Sequence, residues 1–177
     1  MMISALAKRV VGRLSIVLIF VQDKKIIEFL PSEKDRQEYI QYRKEFYEAS
    51  NFEKRFDYPI HVDIELNNSC NYKCGFCEFG KPLENRSSSY KSKEIFAKED
   101  IFKLLNHLKQ IGTKSIQFNL VNEPLLYNDL LEVVKYASNL KFPDIYFITN
   151  ASLLNKDISR KLLESGLTKI MFSLDAN

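Results

Sequence analysis

From Lys98 onward the chain repeats one pattern three times: a helix-spaced apolar stripe, then a short apolar run. Ile101, Leu104, Leu105, Leu108 and Ile111 recur at three- and four-residue intervals. Gly112 stands where a helix calls for a left-handed closing residue, and a strand over 115–120 follows. Leu130, Leu131, Val133, Val134 and Ala137 predict a second helix before a strand over 144–149. Ile158, Leu162 and Leu163, closed by Gly166, predict a third before a strand over 168–173. Upstream, residues 60–66 alternate apolar and polar, the period of a strand with two unlike faces. Strands alternating with helices at this spacing imply βαβ units, a parallel sheet and right-handed crossovers. At 177 residues the chain suits one domain with a sizeable core.

The first predicted strand runs directly into Cys70-Asn-Tyr-Lys-Cys74-Gly-Phe-Cys77, which holds every cysteine of the chain in a C-x3-C-x2-C spacing. Three thiols so close cannot all pair with one another, and the chain has no thiol elsewhere. The spacing asks for a metal site with three protein ligands and one open position, the mark of a catalytic centre. Positions 70, 74 and 77 would also share one face of a helix, where three cysteines are mere packing. Asn67, Asn68, Ser69, Asn71 and Gly75 are poor helix-interior residues, so a loop wrapping a metal group fits better. Structural zinc would want a fourth ligand, and His61 and His107 both lack the usual spacing.

With Phe76 just before the third cysteine, this loop resembles the signature of the radical S-adenosylmethionine (radical SAM) superfamily. The resemblance implies that Cys70, Cys74 and Cys77 hold three irons of a [4Fe-4S] cluster while the fourth iron binds SAM. It implies an α/β fold: a partial (βα) barrel of parallel strands, four of the usual six βα units, with an N-terminal helical extension. Reductive cleavage of SAM to methionine and a 5′-deoxyadenosyl radical is the implied activity, with the hard chemistry carried by the cofactors.

Further motifs follow at later strand ends. Asn122-Glu123-Pro124 matches the family's Gly-Gly-Glu-Pro, with Val121 and Asn122 in place of the glycines. A side chain at 122 narrows the backbone approach to a ligand. Glu123 retains the ability to accept a charge-assisted hydrogen bond from the ammonium of SAM. Thr149-Asn150-Ala151 resembles Thr-Asn-Gly with alanine for glycine, and Ser173-Leu174-Asp175-Ala176 resembles Ser-Leu-Asp-Ala. By resemblance Phe76, Asn122, Glu123, Asn150, Ser173 and Asp175 are the candidate SAM contacts. The implied partners are SAM, an electron donor such as flavodoxin or ferredoxin, and an unidentified peptide or small-molecule substrate.

Residues 59–177 are read as the partial core and 1–58 as an extension. In the extension, Ser32 caps a helix over 33–49 whose buried stripe is Tyr39, Tyr42, Phe46 and Ala49. The apolar run 14–21 is well short of a membrane span and lacks a cleavage site, so it reads as a packed strand or helix, with peripheral membrane contact the alternative. A net charge of +3 is too mild to argue for nucleic acid, and cysteines confined to a metal-type loop favour a reducing cytoplasm. The polar stretch 85–93 reads as a solvated loop or as a cover over the cluster. His61, at the far end of its strand from the cysteines, reads as structural. Later strands of the family's barrel have no counterpart here. A truncated, inactive cluster-binding fragment therefore stands as an alternative function, and a structural zinc module as a weaker one. An open sheet edge after the fourth strand predicts poor solubility or self-association.

Overall fold

In the computed structural model, which describes residues 23–173, the predicted repeats form one parallel sheet backed by helices. The apolar N-terminal run and Asp175 lie outside the described residues. The chain divides into two units, Met1–Gln41 and Tyr42–Asn177. Helix α1 (Glu33–Ser50) begins at Ser32, whose hydroxyl oxygen accepts the Asp35 amide at 3.1 Å, the expected cap. Tyr39 and Tyr42 of the expected stripe are buried, while Phe46 and Ala49 are half-buried.

In the larger unit the order is β1 (His61–Asp63), α2 (Lys98–Ile111), β2 (Ser115–Gln117), α3 (Leu130–Asn139), β3 (Asp144–Thr149), α4 (Lys156–Glu164) and β4 (Lys169–Phe172). The strands pair in sequence order, all parallel, with His61 opposite Ser115, Ser115 opposite Asp144 and Tyr146 opposite Lys169. Consecutive parallel pairing with a helix in each later crossover is the start of a barrel wall, not closed on itself. Strand β3 has the predicted bounds, while β1, β2 and β4 are shorter than the sequence pattern suggests. Single ladder bonds continue past them, from the Ile64 amide to the Gln117 carbonyl and from the Phe118 amide to the Tyr146 carbonyl.

The core lies between the sheet and helices α2 and α3. Ile101, Leu105, Val133, Val134 and Ala137 meet Ile116, Phe118, Ile145 and Phe147, all buried. Each larger side chain there contributes roughly 1.5–3 kcal/mol by leaving water. Gly112 closes α2 at φ +104°, a conformation an L side chain resists. Asn155 caps α4 by accepting the Ile158 amide at 2.9 Å.

The amino ends of the strands are locked by a buried polar network. Asp144 accepts from Tyr42 Oη (3.0 Å), Ser115 Oγ (3.2 Å), Lys169 Nζ (2.9 Å) and Thr168 Oγ1 (2.7 Å). His61 bonds Ser115 Oγ and Asp63 Oδ1, both at 2.9 Å, and stacks on Tyr146. Its two nitrogens are thus engaged at the edge opposite the cysteines, the structural role its sequence position implied.

Strand β4 is an edge, and its Met171 and Phe172 are exposed. Unpaired strand groups beside exposed apolar side chains template association. The 177-residue chain by itself is expected to run larger than a monomer in light scattering, and a monodisperse monomer would refute this.

Candidate metal centre

The cysteine loop is the near side of a hoop spanning residues 69–93. Its base is an antiparallel bridge between Asn67 and Ile95, flanked by bonds from the Asn68 amide to the Glu94 carbonyl and from the Phe96 amide to the Leu66 carbonyl. The buried Asn68 side chain staples this base. Its amide nitrogen donates to the carbonyls of Ser89 (2.6 Å) and Ser92 (2.9 Å), and its oxygen accepts the Glu94 amide (2.6 Å). The stretch 85–93, read as a solvated loop or a cover, holds one 3-10 turn, Ser88–Tyr90, and is tied back to the strand end that carries the cysteines.

Within the hoop the Cys77 amide donates to the Cys74 carbonyl at 2.9 Å, and the Tyr72 amide donates to Cys70 Sγ at 3.4 Å. All three cysteines are free and half-buried, while Phe76 is exposed. Burial pushes the Cys70 thiol up, and the Glu123 carboxylate, Cys77 and Cys74 push it the same way against the Tyr72 amide. Binding a cation such as an iron would offset that upward push and favour the thiolate.

Gly80 lets the hoop close on itself. A Cβ there would lie 1.9 Å from the Cys74 carbonyl oxygen, a backbone atom that cannot swing aside. Gly80→Ala is expected to displace the loop, costing about 1–3 kcal/mol in a urea melt and lowering the iron bound per chain. Full iron occupancy in that variant would contradict the close approach.

Glu123 is the hub between the strand ends. It is 2% exposed, and its Oε1 accepts from Thr149 Oγ1 (2.7 Å) and the Leu125 amide (3.1 Å). Its Oε2 accepts the Asn150 amide (2.9 Å), and its own amide donates to the Ser69 carbonyl (2.9 Å). A carboxylate has about four acceptor sites, so these three bonds leave one open. Asn150 reaches on to the cysteine loop. Its Nδ2 donates to Asn71 Oδ1 at 2.9 Å and lies 3.9 Å from Cys70 Sγ. Cys70, Glu123 and Asn150 thus converge on one edge.

Asn122 is 5% exposed, and its oxygen accepts the Leu120 amide at 3.2 Å. That bond fixes which end of the amide is nitrogen, and Nδ2 is buried with no partner among the described residues. An orphaned buried donor is costly and suits a site that awaits an acceptor. Ser173 follows β4, its amide donating to the Thr149 carbonyl at 2.9 Å, one residue from Asn150. Ala151 sits at φ +61°, where the family pattern has glycine. Ala151→Gly is expected to stabilise the fold by about 1 kcal/mol in chemical denaturation, because the left-handed strain exceeds glycine's extra unfolded entropy.

The sequence reading missed Glu65. Its Oε1 accepts the amides of Val121 (3.0 Å) and Asn122 (3.1 Å), and its Oε2 accepts the Tyr90 hydroxyl (3.0 Å). Burial, then the bond and charge of Glu65, pushes the Tyr90 phenol up to about 12. One carboxylate thus joins the hoop to the Asn122-Glu123 turn. Its polar position in an alternating strand was visible, but its partners lie 25 and more residues away.

The donor set was weighed against the metal groups it might hold. Among the described residues no three His, Cys, Asp or Glu side chains converge as ligands of one metal ion. Cys70, Cys74 and Cys77 offer three thiol donors and the chain has no fourth, a donor set that fits a cluster in which each thiolate takes a different iron and one iron stays open.

Comparison with known proteins agrees. The family described as "Radical SAM superfamily" matches residues 64–177. A protein of Saccharolobus solfataricus named "Probable GTP 3',8-cyclase" is 33% identical over 124 residues, which are 69% of this chain and 37% of that protein. One of the same name from Methanococcus maripaludis is 31% identical over 112 residues, 63% of this chain and 35% of that protein. The chain thus spans little more than a third of the length of these relatives. Two solved structures share the fold. BtrN in complex with AdoMet and 2-DOIA superposes with a TM-score of 0.60 at 21% identity, covering 70% of this chain and 48% of that one. Streptococcus suis SuiB bound to S-adenosylmethionine gives 0.52 at 23% identity, covering 81% and 31%.

Proposed function

The chain belongs to the radical SAM superfamily, and from that premise we propose that it is the cluster-binding portion of a radical SAM enzyme. Its cofactors are those of the family, a [4Fe-4S] cluster and SAM. Cys70, Cys74 and Cys77 hold three irons through their thiolates. Bound there, cluster and SAM together supply reductive cleavage of SAM to methionine and a 5′-deoxyadenosyl radical that abstracts hydrogen from a substrate.

The chain's own residues bind and orient. Glu123 accepts the SAM ammonium on its one open acceptor site while its other bonds hold it rigid, which spares the entropy of ordering it. Asn122 offers its unpartnered Nδ2 to the SAM carboxylate. Asn150 braces the cysteine loop through Asn71 and lies beside Cys70. Phe76 presents its backbone to the adenine edge, and Ser173 and Asp175 serve the ribose or methionine part. The observation that carries this reading is the convergence of Cys70, Glu123 and Asn150.

Among the described residues no helix is long and apolar enough to cross a membrane. The proposed cytoplasmic setting rests instead on cysteines confined to a metal-type loop. A flavodoxin or ferredoxin would deliver the electron. The substrate is a small molecule or peptide, and the name carried by the relatives makes a nucleotide one candidate for a whole protein of this kind.

Anaerobic reconstitution with iron and sulfide tests the reading. It should give a reduced-cluster EPR signal that changes when SAM is added. Failure of the intact loop to take up iron, or stoichiometric zinc in anaerobically purified protein, would refute it. A cluster that forms without yielding 5′-deoxyadenosine on reduction with SAM would identify the inert cluster-binding alternative.

A further inference from the structure

The hoop that carries the cysteines borders an open cavity of about 300 Å³, lined by residues of its arms and by Asn68 at its base. That volume is at the small end of ligand pockets, which run from about 300 to 1,000 Å³. Four cationic side chains line it, Lys73, Arg86, Lys91 and Lys93, and no carboxylate does. Three acids nearby are already committed, and Glu84, beside the lining residue Leu83, is exposed. Glu78 pairs with Lys81 and accepts the Ser87 amide, Glu94 accepts the Ser92 hydroxyl, and Glu65 is occupied as described. Lys73, Lys91 and Lys93 have no ion pair among the described residues.

Exposed lysines on a loop are ordinarily just solvated. Arg86 is different. It is half-buried, its Nε donates to the Lys81 carbonyl (3.2 Å), its Nη2 donates to the Phe79 carbonyl (3.0 Å), and its guanidinium stacks 5.4 Å over the Phe79 ring. Those bonds use two of five N–H donors and freeze the planar group. The remaining donors stay on a guanidinium whose ordering entropy is already spent. A fixed guanidinium facing a concave, cation-rimmed space is the arrangement that recognises planar oxyanions.

We propose that this cavity binds a small oxyanion, a phosphate or carboxylate group, between Arg86 on one arm of the hoop and Lys73 on the other, with Lys91 and Lys93 at the rim. Bound there, the anion would tie the arm after the cysteines to the arm that contains them, since Cys70 lines the same cavity. None of the proposed SAM contacts lines the cavity itself.

Isothermal titration of the purified chain, without iron, with inorganic pyrophosphate in one arm and citrate in the other tests it. One saturable site is expected, tighter for the anion class that the site serves and weakening as salt is added. Arg86→Gln should weaken it about tenfold or more, the scale of one lost charge-assisted contact. The double change Lys91→Gln/Lys93→Gln touches exposed residues, so it tests the site even if Arg86→Gln fails to fold. Lys135→Gln, which removes one positive charge as Arg86→Gln does but on the exposed side of α3, should leave affinity unchanged. Absence of saturable binding in both arms would overturn the proposal, as would equal weakening by Lys135→Gln and the Lys91/Lys93 pair.

Discussion

Cys70→Ala, Cys74→Ala and Cys77→Ala are each expected to abolish the [4Fe-4S] signal while leaving the fold intact. On the proposed reading each thiolate holds its own iron, so no ligand is redundant, and the chain has no fourth cysteine. His61 cannot step in, since both its nitrogens are bonded at the opposite edge of the sheet. The cysteines are half-buried, free of disulfides and outside the apolar core, so their removal opens no core cavity. Iron and sulfide per chain after anaerobic reconstitution, beside far-ultraviolet circular dichroism, read both halves of the expectation. Wild-type iron content in any one variant would mean that the residue is not a ligand. A collapse of the circular dichroism would mean that the loop holds up the fold in its own right.

Glu123→Ala is expected to be the most disruptive single change at the strand ends. It strips the acceptor from three donors, the Thr149 hydroxyl and the amides of Leu125 and Asn150, in a place that water does not reach. Each stranded buried donor costs about 1–3 kcal/mol, and since neighbouring losses are not additive a total of about 3 kcal/mol is expected. Glu123→Gln separates the structural part from the electrostatic one. Its carbonyl can keep the bonds at Oε1, but its amide nitrogen would then face the Asn150 amide, donor against donor. Denaturant midpoints should fall in the order wild type, Gln, Ala. On the proposed reading both variants also lose the SAM-dependent change in the EPR signal even where the cluster forms. Alanine as stable as wild type would show that the hub carries no load. An unchanged SAM response would remove Glu123 from the SAM site.

The strand and helix order was legible because apolar periodicity is a local property. Gly112 closes its helix where the sequence calls for a left-handed residue. The alanine in Thr149-Asn150-Ala151 was visible as a departure from the family pattern. Only the backbone showed its meaning, a left-handed residue that glycine would relieve. Glu65 and Asn68 were beyond reach because a polar residue near a strand end has no local signature. What makes them matter is a set of amides and carbonyls 20 to 60 residues away.

Sequence by itself determined the parallel α/β class, the three-cysteine loop at a strand end, and which polar residues fall at the other strand ends. Those follow from residue spacing and from the valence of a thiolate. Tertiary structure decided how these pieces meet. It made Glu123 a buried clamp with one free acceptor position, turned a polar loop into a hoop closed by Gly80 against Cys74, and gathered lysines around a fixed arginine. The reason is physical: hydrogen bonds, close approaches and electric fields depend on distance in space, and sequence records only distance along the chain.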